Sequence, residues 1–150
     1  MRRPRAAPLA ILLIALTTTT AMVRPAAPLP TVTVYKLASC GCCAKWVDHM
    51  RAAGFKVEVN DVADVGEYAD GAGVPPALRS CHTAVVGGYA IEGHVPADLV
   101  KKMLTEHPAI AGLAVPGMVT GSPGMEGNRR EPYDVVAWSK QGTTSVYARR

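Results

Sequence analysis

Thr31-Val32-Thr33-Val34-Tyr35-Lys36-Leu37 runs through Ala38 into Ser39-Cys40-Gly41-Cys42-Cys43. The first seven residues alternate and are rich in β-branched side chains, which predicts a strand. Ser39 is suited to cap a following helix. Over that helix Cys43, Trp46, Val47 and Met50 recur at i, i+3, i+4 and i+7 as one apolar face, with Lys45, Asp48 and Arg51 elsewhere. Gly54 is a natural residue just past its end, and Phe55-Lys56-Val57-Glu58-Val59 alternates again as a second strand. The strand–helix–strand unit has room for a right-handed parallel crossover.

Further along, Val62 to Ala69 reads as a short helix broken by Gly71 and Gly73. Val74-Pro75-Pro76 forces extended backbone, because a residue before proline avoids the α region. Thr83-Ala84-Val85-Val86 is a short buried strand, Gly87-Gly88 a tight hairpin turn, and Tyr89-Ala90-Ile91-Glu92 the antiparallel return. Gly93-His94-Val95-Pro96 opens a helix with Pro96 near its first position. Leu99, Val100, Met103 and Leu104 form its buried stripe, which ends before Pro108. This order predicts an α/β protein with a thioredoxin-like β-α-β…β-β-α core and places Cys40 and Cys43 where that fold carries redox thiols. Residues 110–125 are rich in Gly, Pro and Met and read as a loop, its Leu113 and Val115 arguing that it packs. Tyr133 to Trp138 and Thr144 to Tyr147, around Gly142, read as a C-terminal β-hairpin.

Toward the N-terminus, Arg2, Arg3 and Arg5 precede the apolar run Leu9 to Leu16, then Thr17 to Thr20 and Ala21. A basic region, a short apolar region and small residues make a secretory signal, and the run is too short for a permanent anchor. The expected organisation is a leader over 1–21, cleaved between 21 and 27, a Pro/Ala linker over 22–30 and one domain over 31–150. The three leader Arg carry most of the formal charge of +4. The mature chain is thus near neutral, which removes electrostatic support for nucleic-acid binding, and no membrane attachment is expected after cleavage.

Export bears on the four cysteines, since thiols outside the cytoplasm are exposed to oxidation. The thiolate is both nucleophile and metal ligand, and a helix start lowers thiol pKa. Cys40, Cys42, Cys43 and Cys81 allow three fully paired connectivities. Adjacent Cys42 and Cys43 pair only under severe strain, so at least one must turn to Cys81 or to a metal. Cys81-His82 precedes a strand where thioredoxins carry a cis-proline facing the two cysteines, and no proline stands there. A third soft ligand in that place favours metal over disulfide exchange, and thiolates with thioethers select Cu(I). Met118 and Met125, each after a Gly, are candidate thioethers, and His94, at a strand-to-helix junction, is a candidate imidazole. Cys40, Cys43 and Cys81 are the leading ligands. Cys42 ranks behind them, because consecutive helical residues project about 100° apart. His82 either ligates or flanks Cys81, His49 and His107 read as solvated, and Glu92 with Glu126 makes no acid–base dyad.

Cys40-Gly-Cys-Cys43-x-x-Trp46, Ser80-Cys81-His82-Thr83, Glu92-Gly-His94-Val-Pro96 and Val115-Pro-Gly-Met118 through Gly124-Met125-Glu126 occur in that order. Together they resemble the CopG-type exported metal-binding proteins of bacterial copper-resistance systems, a family long labelled as a domain of unknown function. The likeness runs from about Val32 to Trp138, with Val119 where the family loop is expected to carry proline. It implies a thioredoxin-like fold, a periplasmic address, copper held by the cysteines with Met and His help, and copper redox handling. Other periplasmic copper-handling proteins are the partners it suggests. Two rival readings are a thiol–disulfide oxidoreductase using Cys40 and Cys43 with Cys81 as resolving thiol, and a structural zinc site.

Overall fold

The computed structural model describes residues 27–150. The leader expected over 1–21 lies outside the described residues, as does the linker up to residue 26. Among the described residues no helix is long and apolar enough to cross a membrane.

The elements follow as β1 (Val32–Lys36), α1 (Gly41–Ala52), β2 (Val57–Asp61), α2 (Gly66–Gly71), a 3₁₀ turn (Pro76–Leu78), β3 (His82–Val86), β4 (Tyr89–Glu92), α3 (Ala97–Glu106), β5 (Gly112–Ala114), β6 (Asp134–Trp138) and β7 (Thr144–Arg149). They build one seven-stranded sheet in the order β2-β1-β3-β4-β5-β6-β7. β1 and β2 are parallel, while β3 runs antiparallel to both β1 and β4. This is the expected α/β core, with β1-α1-β2 as its parallel unit and β3-β4-α3 as its antiparallel one. Its hydrophobic centre is formed where Val32 and Val34 of β1, Trp46, Val47 and Met50 of α1, and Val100 of α3 are buried together. The four apolar positions of α1 are all buried, as their spacing requires, with Trp46, Val47 and Met50 in that core.

The departures are local. Cys40, not Ser39, occupies the cap position of α1, and no side chain bonds there. β2 starts two residues later than the alternation suggested because Phe55 turns inward, its amide donating to the Met50 carbonyl at 3.1 Å. α2 is shifted toward its glycines, Pro96 caps α3 from outside, and Leu104 is only half-buried.

The largest correction is β5. Gly112-Leu113-Ala114 is not loop but a buried strand, parallel to β4 and antiparallel to β6. A Cβ on Gly112 would stand 2.1 Å from the Ala90 carbonyl oxygen and 2.5 Å from the Trp138 ring. Only glycine lets the strand pass so close, so the residue that made the stretch look like loop is the one that permits the strand. β5 also joins the C-terminal hairpin β6-β7 to the main sheet.

Candidate metal centre

β1 ends at Lys36, and the chain turns with the Cys40 amide donating to the Leu37 carbonyl at 3.0 Å before α1 begins at Gly41. Cys40 and Cys43 are three residues apart, so the first helical turn brings their side chains to one face. They are joined as a disulfide, S–S 2.03 Å. Cys42 is a free thiol, its Sγ 3.5 Å from Cys40 Sγ and 4.0 Å from Cys81 Sγ. Cys81 is the other free thiol and stands just before β3, with its carbonyl oxygen 3.5 Å from the buried Cys43 Sγ. The four sulfurs lie within 4.8 Å of one another. Two sulfurs on one tetrahedral ion, at about 2.3 Å from it, stand about 3.8 Å apart. The Cys40–Cys42 and Cys42–Cys81 separations therefore have the dimensions of a soft-metal site.

A second group shares Cys81. His94 Nε2 lies 3.0 Å from Cys81 Sγ, while His94 Nδ1 lies 2.8 Å from the Pro123 carbonyl oxygen. A carbonyl only accepts, so Nδ1 carries the proton and the Nε2 lone pair faces the sulfur. His82 Nδ1 is 3.5 Å from the same sulfur. Its ring lies 4.4 Å from that of Trp46 and 5.1 Å, edge-on, from that of His94, and its buried Nε2 has no hydrogen-bond partner among the described residues. Sequence reasoning leans to a flanking role for His82; the fold brings its ring together with Cys81 and His94 as a group that could hold a metal ion. His49, read as solvated, instead accepts the Ala97 amide at 3.0 Å and ties α1 to the start of α3.

The electrostatics suit a cation. Burial, then His94, pushes the His82 imidazolium down to about 3, and burial likewise lowers His94, so both imidazoles are neutral near pH 7. Burial, reinforced by the adjoining Cys42, pushes the Cys81 thiol up to about 12. The group carries no positive charge of its own, and an arriving cation would reverse the bias against the Cys81 thiolate.

The two candidate methionines are held beside the site through their backbones. Met118 is 59% exposed and follows Gly117, whose carbonyl accepts the Ser80 hydroxyl next to Cys81. Met125 is half-buried and follows Gly124. The loop around Gly124 is folded on itself by bonds from Ser122 N to Val119 O at 3.2 Å and from Met125 N to Ser122 O at 2.8 Å. It is laid across the head of α1 so closely that a Cβ on Gly124 would stand 2.6 Å from the Cys42 carbonyl oxygen and 2.8 Å from the Trp46 amide. With φ at +85°, the position is also in the region that favours glycine. Gly124→Ala is therefore expected to lift the loop, break the Pro123–His94 bond and cost about 1–3 kcal/mol of stability. The freed imidazole should lower metal affinity by about tenfold or more. Urea unfolding and competitive Cu(I) titration of the variant would measure both.

Comparison with known proteins bears on these same residues. A family model described as "Protein of unknown function, DUF411" matches residues 78–125, the stretch that carries Cys81, His82, His94 and both loop methionines. A solved structure titled "Copper resistance protein copG- Form 2" superposes with a TM-score of 0.78 at 44% identity, covering 83% of this chain and 99% of that one. A second, titled "Copper resistance protein copG- Form 1", gives 0.77 at 43% identity, covering 81% and 98%. No curated protein matches. Identity at this level over nearly the whole described domain, with the cysteine and histidine cluster in place, establishes that the chain belongs to the CopG-type copper-resistance family.

Proposed function

We propose that this is an exported, periplasmic copper-binding protein of copper resistance, which takes up Cu(I) on the thiolates of Cys40, Cys42, Cys43 and Cys81, with His94 and His82 as imidazole donors. Met118 and Met125 complete the soft donor set from the loop. The observation that carries this reading is the pair of donor groups meeting at Cys81, one of four sulfurs and one of sulfur with two imidazoles. Shared ligation at one sulfur accommodates more than one ion. Sulfur with neutral imidazole suits Cu(I) better than hard cations. The Cys40/Cys43 dithiol could also pass two electrons to two Cu(II), closing to the disulfide, giving two Cu(I) and releasing two protons.

The test is anaerobic titration of fully reduced protein with Cu(I) against a competing chelator. Stoichiometric uptake is expected, and its absence would overturn the reading. Affinity should rise with pH between about 6 and 8, about tenfold per unit for each thiol proton displaced. The sign follows from Cys81, protonated in this range because its pKa stands at about 12, whereas burial holds His82 at about 3, so that it is already neutral and adds no rise.

The Cys40–Cys43 disulfide favours a second reading, thiol–disulfide exchange. Against it, a resolving thiol held at about 12 is almost wholly protonated near neutral pH and attacks poorly. Turnover of a model disulfide by metal-free protein would support this second reading.

A further inference from the structure

We propose that Glu92 is the positioning residue for Cys81, a buried carboxylate clasp that fixes the shared sulfur opposite Cys42 and His94. The inference rests on the copper reading and assigns no ligand role to Glu92.

Glu92 is the last residue of β4 and is 1% exposed. Its Oε1 accepts the Ser80 amide at 2.7 Å, and its Oε2 accepts the Thr83 hydroxyl at 2.7 Å. The two bonds fall on either side of Cys81-His82, so one rigid carboxylate spans the dipeptide that supplies two donors. The backbone repeats the grip, with the Gly93 amide donating to the His82 carbonyl at 3.0 Å and the Val115 amide to the Glu92 carbonyl at 3.0 Å. Ser80 is held from its other side as well, its hydroxyl donating to the Gly117 carbonyl at the root of the Met118 loop. There is no slack here, since a Cβ on Gly93 would stand 2.6 Å from Ser80 Oγ and 2.8 Å from the Val115 carbonyl oxygen.

Packing alone gives no reason for the residue. Among the described residues no ion pair satisfies Glu92, and a buried carboxylate is costly where an apolar side chain would pack. What it supplies that a Val or Leu could not is two acceptors at fixed separation. Ser80-Cys81 otherwise enters β3 from a short 3₁₀ turn, with no helix or strand pairing to set the sulfur's direction.

Glu92→Gln keeps the clasp, since its carbonyl still accepts from Ser80 and its amide donates to Thr83 Oγ1. Glu92→Ala removes it. In competitive Cu(I) titration Glu92→Ala is expected to bind about 10–100-fold more weakly and to shift the copper–thiolate absorption, while Glu92→Gln stays within about threefold of wild type. Loss in both variants alike would overturn positioning in favour of the charge, and loss in neither would overturn it outright. If Glu92→Ala does not fold, Thr83→Val removes one of the two bonds and is expected to lose affinity between the other two variants, whereas wild-type affinity there overturns the clasp. Failure of the copper reading itself is separable. If wild type takes up no copper, the readout becomes alkylation of Cys81 in metal-free, disulfide-intact protein on a Cys42→Ser background. There Glu92→Ala should accelerate labelling and Glu92→Gln should not, and equal rates in all three would refute the positioning role.

Discussion

Cys81→Ser is expected to weaken Cu(I) binding more than any other single substitution, by well over about 100-fold. That is beyond the range met when only a supporting residue is removed. Cys81 is the one residue common to both donor groups, so its loss opens the four-sulfur cluster and detaches His82 and His94 together. Cys42→Ser removes a corner of one group only and should leave a weaker site of sulfur and imidazole. Serine is nearly isosteric with cysteine, but its hydroxyl is a hard donor that ionises far above neutral pH and is a poor partner for Cu(I). Cys81 is only partly buried, so the fold should change in stability by no more than about 1 kcal/mol. The measurement is a chelator competition on fully reduced Cys81→Ser beside Cys42→Ser, with urea unfolding of each as the control. Equal affinities for the two variants would refute the shared-sulfur arrangement.

How far the centre could be read before any coordinates differs from residue to residue. The head of α1 was legible because alternation in β1 and the Cys43, Trp46, Val47, Met50 stripe are local signals, each tied to the period of its own element. The disulfide was not legible. Spacing allowed Cys40 to pair with Cys43 or either to turn to Cys81, and only the fold brings Cys81 beside the cluster. β5 was hidden because a strand that threads between the Ala90 carbonyl and Trp138 must use glycine, the strongest sequence signal against a strand. That concealment had consequences for Glu92. Read only as the antiparallel return of a hairpin, Tyr89-Ala90-Ile91-Glu92 gives no sign that its terminal carboxylate is enclosed. With β5 on its far edge, β4 is an interior strand and Glu92 is buried. His49 was misjudged for a related reason, since its partner is a backbone amide of α3 with no counterpart in the local pattern. His82 had one usable signal, a histidine heading a short apolar strand directly after a cysteine.

Trp46→Ala should cost about 3–5 kcal/mol, the usual range for truncating a buried tryptophan. A domain with about 5–15 kcal/mol in all has little margin for that loss. Trp46 is fully buried, its Nε1 donates to the Val95 carbonyl at 2.9 Å and its ring packs on His82. The bond to Val95 ties α1 to the segment between β4 and α3, one residue after His94. Truncation therefore opens a cavity, strands a buried carbonyl and removes the surface that holds one of the site's imidazoles. Trp46→Phe separates these effects. It keeps an aromatic face for His82 and loses chiefly the Nε1 bond, which should cost about 1–3 kcal/mol through the unpaired Val95 oxygen. Thermal and urea unfolding of the two variants, each followed by Cu(I) titration at a temperature where the protein is folded, would tell packing from placement. If Trp46 positions the centre through His82, Trp46→Phe loses stability but keeps copper affinity, and Trp46→Ala loses both. If both variants, once folded, bind copper as tightly as wild type, Trp46 serves the core alone and His82 needs no help from its ring.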